Sequence, residues 1–223
     1  MSSNVTSSCA WRLYVIIDPA ATRGRDLTEV ATAAIRGGAD VIQLRDKLAS
    51  ARQFLEEAKR ILAVTRAAGV PLIINDRVDV ACVIEAAGVH VGQDDVSITE
   101  ARAILRPEQL VGKSTHSLEQ ALVAEREGAN YIGLGPIFPT PTKPNYGSLG
   151  LAVIQQVASA VRVPIICIGG IDRDTVEYVI QAGARCIAVV RAVCSAPDSE
   201  AAAKELKQKM LAQSDRPNVC ASL

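Results

Sequence analysis

The sequence has no net charge, no close pair of cysteines and no long apolar run, and each absence excludes a class of protein. Lysine plus arginine and aspartate plus glutamate each number 24 in the 223 residues. The whole chain therefore offers no general attraction to nucleic acid or to a membrane surface. No run approaches the roughly 18 apolar residues of a transmembrane helix, and the opening MSSNVTSSCA lacks the apolar segment of a signal peptide. We expect no nucleic-acid partner, no membrane contact and a cytoplasmic location.

The cysteines indicate free thiols rather than a disulfide framework. All six are spread out, at positions 9, 82, 167, 186, 194 and 220. A chain of this length buries on the order of 70% of its unfolded surface, so its core does not need disulfide bonds or a bound metal for stability. The sequence also lacks zinc-type Cys/His spacing, a nucleophile elbow, a P-loop and a dinucleotide-binding GxGxxG. Any charge chemistry must then be local.

Short β-branched segments alternate with segments of helical spacing along the whole chain. The eight candidate strands cover 13–18, 41–46, 71–76, 89–93, 110–115, 131–137, 164–170 and 186–193. Helical spacing marks segments such as 27–38, 51–69, 98–109, 118–129, 174–184 and 198–213, and eight helices are expected to match. An open doubly wound sheet shares this alternation. Eight regular units of ~20 to 30 residues favour closure into an α/β fold of the (β/α)8 TIM barrel type, as a single domain.

Glycines and capping residues support these boundaries. Five glycines fall at predicted helix ends just before strands, where a left-handed cap favours glycine: Gly38, Gly69, Gly88, Gly128 and Gly183. The candidate N-caps are Ser50, Ser97, Asp172 and Asp198. We predict a barrel domain over residues 11–213, with flexible termini at 1–10 and 214–223.

Polar residues gather where the predicted strands end, which is where barrel enzymes place their active sites. Gln43, Arg45 and Lys47 alternate after the second strand, so their side chains share one direction. A converging arginine and lysine suit the oxygens of a phosphate or diphosphate. A charged loop whose cations pair with nearby acids is the alternative.

Two aspartates at the ends of the third and fourth strands are candidate metal ligands. Asp76 and Asp95 fall on neighbouring strands, and Mg2+ is typically held by one or two carboxylates together with substrate phosphate oxygens. Two carboxylates that face a diphosphate without a cation would repel it. Spacing alone does not distinguish ligation from helix capping, which is an equally good interpretation of Asp94.

Two further segments suit a phosphorylated ligand. The segment 138–150 follows the sixth strand, is rich in Pro, Thr and Gly, and carries Lys143, so we predict a lid rather than a passive surface loop. Gly169 and Gly170 end the seventh strand just before a helix, where backbone N–H groups commonly hold phosphate. Val190 and Arg191 lie one strand further on.

The two histidines have different expectations. His90 lies between Val89 and Val91 and should face the barrel interior as a satisfied core histidine. His116 lies beyond the fifth strand near Ser114, where proton transfer, phosphate contact and simple helix entry all remain open.

Six motifs together resemble one family. QLRDK (43–47), INDRVDVA (74–81), GVHVGQDD (88–95), GKSTH (112–116), GLGPIFPTPTK (133–143) and IGGI (168–171) follow each other at the predicted strand ends. In this order they resemble thiamin-phosphate synthase over nearly the whole barrel. That family has a (β/α)8 fold and joins hydroxymethylpyrimidine diphosphate to a thiazole phosphate with Mg2+, so the resemblance implies a transferase with small-molecule substrates.

The resemblance also implies roles for particular residues. Asp76 and Asp95 would hold Mg2+, and the catalytic groups would be Arg45, Lys47, Ser114 and Lys143. Substrate contacts would come from Gln43, Leu44, Arg45, Asp46, Lys47, Asn75, Ser114, Thr140, Pro141, Thr142, Lys143, Gly170, Val190 and Arg191. The family often has serine at position 191, so Arg191 either replaces that hydroxyl as a phosphate donor or turns outward.

Two rival functions remain, and the oligomeric state is open. A thiazole tautomerase resembles the same barrel but needs no metal to expel a diphosphate. A catalytically silent barrel that binds a phosphorylated metabolite is the second rival. Exposed faces on the barrel helices make a homo-oligomer conceivable.

Overall fold

Eight parallel strands close into a barrel in the order in which they occur along the chain. The structure, a computed structural model, describes residues 10–140 and 147–212. The strands are β1 Leu13–Ile17, β2 Val41–Leu44, β3 Leu72–Asn75, β4 Gly88–Val91, β5 Leu110–Thr115, β6 Tyr131–Leu134, β7 Ile165–Ile168 and β8 Ile187–Val189. Because β8 pairs with β1, the sheet has no open edge. The predicted single-domain barrel is confirmed.

Helices separate the strands and form the outer layer. They are α1 Leu27–Arg36, α2 Ala51–Ala68, α3 Val78–Val83, α4 Ile98–Ile104, α5 Leu118–Arg126, α6 Ala152–Ala158, α7 Val176–Gln181, α8 Arg191–Cys194 and α9 Ser199–Ala212. A short 3-10 turn, Pro19–Ala21, follows β1. Within the described ranges there are thus nine helices rather than the eight expected.

The additional helix comes from a segment that we expected to be strand. The apolar run 186–193 predicts one strand, but β8 ends at Val189 and Arg191 begins α8. Val193 and Cys194 are fully buried in that helix. A short apolar run that is buried in either conformation carries no period that separates strand from helix.

The predicted caps are partly confirmed. Ser50 and Ser97 each form a capping box at the start of α2 and α4, and Asp198 accepts from the Ala201 N–H at 2.9 Å before α9. The prediction that Asp172 is an N-cap is wrong. It accepts from the Thr175 N–H at 3.0 Å and so organises the turn before α7, which begins only at Val176.

Gly88 is a second correction, because it begins β4 instead of capping α3. The left-handed residue after α3 is Glu85, with a φ of 55°. Gly88 is needed for space: a Cβ there would lie 2.2 Å from the Leu110 carbonyl oxygen on β5. The other four glycines do adopt positive φ values.

The strands have two buried faces. Ile42 and Leu44 of β2 belong to the outer core beneath the helices, whereas Val41 packs inside the barrel with Trp11, Tyr14 and Tyr131. The interior layer is therefore rich in aromatic rings, and it forms the inner wall beneath the carboxyl ends of the strands.

The described cysteines are free thiols, as expected. Burial raises the pKa of Cys167 to about 12, and it does the same for Cys194, so both stay protonated and unreactive at neutral pH. Cys9 and Cys220 lie outside the described residues, as do most of the termini that we expect to be flexible. No helix within 10–140 or 147–212 is long and apolar enough to cross a membrane.

Candidate active site

A cavity of about 460 Å³ opens at the carboxyl ends of the strands. All eight strands or the loops that follow them contribute to its wall. Apolar side chains such as Ile16, Ile166 and Ile168 lie beside polar groups from β2 to β5. This is the end of the barrel at which sequence analysis expected the active site.

Side-chain hydrogen bonds cross the inner end of the cavity. The Tyr14 hydroxyl donates to Gln43 Oε1 at 2.6 Å, and Gln43 Nε2 donates to Asn75 Oδ1 at 2.9 Å. The Tyr14 and Tyr131 hydroxyl oxygens are 3.1 Å apart. Gln43 is only 2% exposed, and these partners satisfy a polar group that would otherwise be costly to bury.

His90 continues this network on the other side. Its Nδ1 lies 3.3 Å from the Tyr131 hydroxyl and its Nε2 lies 2.9 Å from Ser114 Oγ. The expected satisfied interior histidine is confirmed, and the ring also lines the cavity. Tyr14, Tyr131 and His90 are members of the site that were not predicted from the sequence. Their inward positions on β1, β6 and β4 were the available signal.

The two rim cations already have acidic partners. Arg45 pairs with Asp18, a residue at the end of β1 that sequence analysis did not anticipate, and Lys47 Nζ lies 2.6 Å from Asp76 Oδ2. This is the arrangement that the charged-loop alternative describes. Arg45 nevertheless lines the cavity, so an anion that enters the cavity could replace Asp18 as the partner of the Arg45 guanidinium.

Asp76 and Asp95 lie close enough to interact directly. Burial raises the pKa of Asp76; the Lys47 ammonium opposes that rise and the neighbouring Asp95 adds to it. Burial also disfavours the charged form of Asp95, but hydrogen bonds with Asp76 and from the Gly92 N–H outweigh it and lower the pKa of Asp95. The Gly92 N–H is 2.8 Å from Asp95 Oδ2. The two carboxyl groups thus titrate as a pair.

This pair fits a hard divalent cation. Its carboxylate oxygens are ligands of the kind that Mg2+ prefers, with substrate oxygens completing the coordination shell. A cation would also relieve the repulsion between the two carboxylates. Asp94 is exposed and does not join the pair. Within the described ranges, no group of three or more His, Cys, Asp and Glu side chains could hold a metal, so any site here would depend on these two aspartates and the ligand.

The opposite end of the cavity is formed by backbone, one arginine and the turn residue Asp172. Gly169 and Gly170 have φ values of 99° and 63°. A Cβ on Gly169 would lie 2.5 Å from Pro136 Cα, and one on Gly170 would lie 2.6 Å from Phe138 Cβ. Glycine is therefore required both by conformation and by the close approach of the loop after β6.

Arg191 begins α8 and lines the cavity, although its side chain is exposed. Val190 lies beside it in the cavity wall. Among the residues that the structure describes, no acid forms an ion pair with Arg191. From the sequence, Arg191 was either a phosphate donor at the site or a residue that turns outward. The structure combines the two, because Arg191 is exposed to solvent and also lines the cavity.

The remaining candidates are placed differently. Ser114 and Thr140 line the cavity. Leu44 is fully buried in the outer core, so only its backbone is available to a ligand. Asp46 accepts from the Leu48 and Ala49 N–H groups and so forms a turn. Pro141, Thr142 and Lys143 lie outside the described residues.

His116 also lines the cavity. Its Nδ1 contacts the Gly135 carbonyl oxygen, and its main-chain N–H donates to Gln120 Oε1 at 2.7 Å. The Gln120 contact ties His116 to the start of α5.

The fold and the cavity together define a (β/α)8-barrel protein of the kind that binds its ligands at the carboxyl ends of the strands. The family model for thiamine monophosphate synthase matches residues 13–193, so the chain belongs to that family. It is an enzyme of the transferase class.

Individual relatives agree with this assignment. A thiamine-phosphate synthase from Chloroflexus aurantiacus is 50% identical over 198 residues, which cover 88% of this chain and 91% of the relative. One from Shouchella clausii is 46% identical over 201 residues, covering 90% and 96%. The solved structure of thiamine phosphate pyrophosphorylase from Pyrococcus furiosus superposes with a TM-score of 0.83 at 35% identity, covering 91% of this chain and 96% of that one.

Proposed function

We propose that this chain condenses 4-amino-2-methyl-5-hydroxymethylpyrimidine diphosphate with 4-methyl-5-(2-hydroxyethyl)thiazole phosphate, which yields thiamin phosphate and pyrophosphate. One observation carries the proposal: a single cavity has different anion-binding chemistry at its two ends. Arg45 lines one end. Lys47 and the Asp76–Asp95 pair are not in the cavity wall, but Lys47 and Asp76 follow the wall residues Arg45 and Asn75 closely along the chain. Gly170 and Arg191 line the other end. Two phosphorylated substrates that react with each other need such a site.

The diphosphate belongs at the first end. Arg45 and Lys47 would release Asp18 and Asp76 and transfer their charge-assisted hydrogen bonds to diphosphate oxygens. Asp76 and Asp95 would hold Mg2+, which supplies further positive charge to the same oxygens. Lys143 is expected to add a third cation from the loop after β6. Gln43, Asn75 and Ser114 would hold the pyrimidine ring at the inner end of the cavity.

The thiazole phosphate belongs at the second end. Gly170 exposes its backbone there, and Arg191 supplies a guanidinium that has no acidic partner among the described residues. Thr140 lines the cavity, and Pro141 and Thr142, which lie outside the described residues, are expected to contact this substrate as the family resemblance implies. The phosphate would anchor the ring so that its nitrogen faces the pyrimidine methylene group.

The chemistry that this geometry supports is dissociative. The bond between the methylene carbon and the diphosphate oxygen breaks first, and both electrons leave with the diphosphate. The amino group of the pyrimidine stabilises the resulting cation, and the thiazole nitrogen then donates its lone pair to form the new carbon–nitrogen bond. Arg45 and Lys47 neutralise the leaving group, while Ile16, Ile166 and Ile168 keep the reacting carbon away from water.

The experiment mixes purified full-length protein with both substrates, with and without Mg2+, and follows thiamin phosphate as its fluorescent oxidation product. Product that requires metal supports the synthase. Absence of product under both conditions, from protein shown to be folded, would overturn it. A thiazole isomerisation assay and a binding assay would then separate the tautomerase from the silent phosphate-binding barrel.

A further inference from the structure

An unbroken chain of side-chain hydrogen bonds runs around the inner end of the cavity. Each member lies on a different strand, from β1 to β6. We call this chain the interior relay; in order, its members are Ser114, His90, Tyr131, Tyr14, Gln43 and Asn75. The proposed function uses only Ser114, Gln43 and Asn75 from this set, which leaves the two tyrosines and the histidine without a role.

The hydrogen bonds of the relay can run in only one direction once the amide of Gln43 is placed. Tyr14 donates its single hydroxyl proton to Gln43 Oε1 at 2.6 Å. The Tyr131 hydroxyl, whose oxygen is 3.1 Å from that of Tyr14, must therefore be the donor in the bond between the two tyrosines. The Tyr131 oxygen then accepts from His90 Nδ1 at 3.3 Å. With its proton on Nδ1, the neutral imidazole has a lone pair on Nε2, which accepts from the Ser114 hydroxyl at 2.9 Å.

The direction of the relay decides what each end presents to the cavity. The Ser114 hydroxyl proton is held by His90, so its oxygen offers lone pairs. At the other end, Asn75 Oδ1 accepts from Gln43 at 2.9 Å, so the Asn75 amide offers its N–H groups. Ser114 and Asn75 both line the cavity. One end of the relay is therefore an acceptor and the other a donor.

We propose that Tyr14, Tyr131 and His90 are positioning residues that make the cavity selective for an amino-substituted nitrogen heterocycle over its oxo counterpart. An aminopyrimidine edge offers an N–H and an unprotonated ring nitrogen, which complement Ser114 and Asn75. The oxo ring reverses both groups and would face an acceptor with an acceptor and a donor with a donor. The inference deepens the proposed function and rests on it, because it takes the pyrimidine to bind at this end.

Packing holds the relay in place. Tyr14 and Tyr131 are 2% and 1% exposed, and burial raises the pKa of both phenols, so each keeps its one proton at neutral pH. A Cβ on Gly112 would lie 2.2 Å from Tyr131 Cζ, so the glycine leaves the space into which that ring fits. The Tyr131 ring in turn stacks on His90 with centroids 5.6 Å apart.

The relay can be tested without any ligand. The chain has only two histidines, so 15N-histidine labelling gives a spectrum that a His116→Gln variant assigns. We expect His90 to carry its proton on Nδ1 in the wild type, and expect Tyr131→Phe, which removes the acceptor, to shift the population toward the Nε2–H form. Tyr178→Phe is the matched control because Tyr178 is 56% exposed on α7. A wild-type His90 with its proton on Nε2 would overturn the relay.

The selectivity is tested by calorimetric binding of the 4-amino pyrimidine diphosphate and its 4-oxo analogue to the full chain with Mg2+. We expect the wild type and Tyr178→Phe to prefer the amino ring by roughly 100-fold, and Tyr14→Phe and Tyr131→Phe to lose about tenfold of that preference. A purely structural role would weaken both ligands equally and leave the ratio unchanged.

The two failures are distinguishable. An unchanged preference in both tyrosine variants would overturn the positioning role alone. A folded wild type that binds neither ring would overturn the selectivity together with the proposed function, while the histidine spectrum would still report whether the relay exists.

Discussion

The two ends of the cavity differ in the groups that form their polar surface. At the end formed by β2 to β5, nearly every polar group is a side chain held by another side chain, as in Arg45 with Asp18 and Gln43 with Asn75. At the end formed by β7 and β8, the backbone of Gly169 and Gly170, one arginine and the turn residue Asp172 provide the polar surface. The first end must exchange partners when an anion arrives, whereas the second has its cation available. Among the described residues, ion pairs inside the protein therefore oppose ligand binding at the first end and not at the second.

The largest expected effect concerns the glycine turn. We predict that Gly169→Ala lowers the free energy of unfolding by about 3 kcal/mol, because alanine would be strained at a φ of 99° and its Cβ would lie 2.5 Å from Pro136 Cα. Urea denaturation measures this, with Gly147→Ala as control because no atom of the described residues lies within 4 Å of a Cβ there. Equal stability of the two variants would show that the turn tolerates a side chain.

The next effect concerns the carboxylate pair at the opposite end. Asp95→Asn should lower kcat/KM by roughly 100-fold or more and raise the Mg2+ concentration needed for half-maximal rate, because one of the two proposed anionic ligands is lost. Asp94→Asn is the matched control, since Asp94 is exposed and adjacent in sequence. A similar metal requirement in both variants would contradict ligation by Asp95.

A pair of arginine variants compares the two ends directly. Arg45→Gln should raise the KM of the pyrimidine diphosphate by about 100-fold, and Arg191→Ser should raise the KM of the thiazole phosphate by about tenfold, each with little effect on the other substrate. The smaller effect at Arg191 reflects its exposure. Steady-state kinetics with each substrate varied in turn would reveal crossed effects, which would mean that the ends are assigned the wrong way round.

The smallest effect is one of stability and pH. Asp76 has a raised pKa in the folded protein, so its ionisation costs stability, and that cost appears as the pH rises through the folded pKa and is absent below the unfolded value of roughly 3.9. Without Mg2+, Asp76→Asn should therefore stabilise the fold at pH 7 by up to about 1 kcal/mol after allowance for solvent screening and the lost Lys47 pair.

This gain should disappear as the pH falls toward 4. Asparagine tolerates the left-handed conformation of Asp76, whose φ is 61°, so backbone strain does not confuse the comparison. Urea denaturation across this pH range makes the measurement, with Asp94→Asn as control. A gain that grows with acidity would contradict the assigned direction of the pKa shift.

The polar groups near the strand ends were easier to locate from the sequence than the aromatic groups that contact them inside the barrel. Gln43, Arg45, Asn75 and Ser114 line the cavity as the strand ends predicted, because each follows directly from where an apolar run stops. The Tyr14–Tyr131 contact joins residues 117 positions apart, and no local pattern indicates which side chains meet across a closed barrel.

The ion-pair partners of the charged residues could not be predicted from the sequence either. Asp18 was included in the first predicted strand, but it follows β1 and caps the Pro19–Ala21 turn. Only the adjacency of β1 and β2 brings it to Arg45. The short helix α8 was missed for a different reason, because its buried residues Val193 and Cys194 are apolar in the same way as those of a strand.

The sequence by itself determined the alternation of strands and helices and the end of the barrel at which polar groups collect. Periodicity and strand polarity are local properties, and parallel strands must present all their carboxyl ends on the same side. Only the tertiary structure decided which of those groups bind each other, since barrel closure sets the distances between strands that are far apart in the chain. The direction of the interior relay depends on those distances, and so do the partners of Arg45 and Lys47.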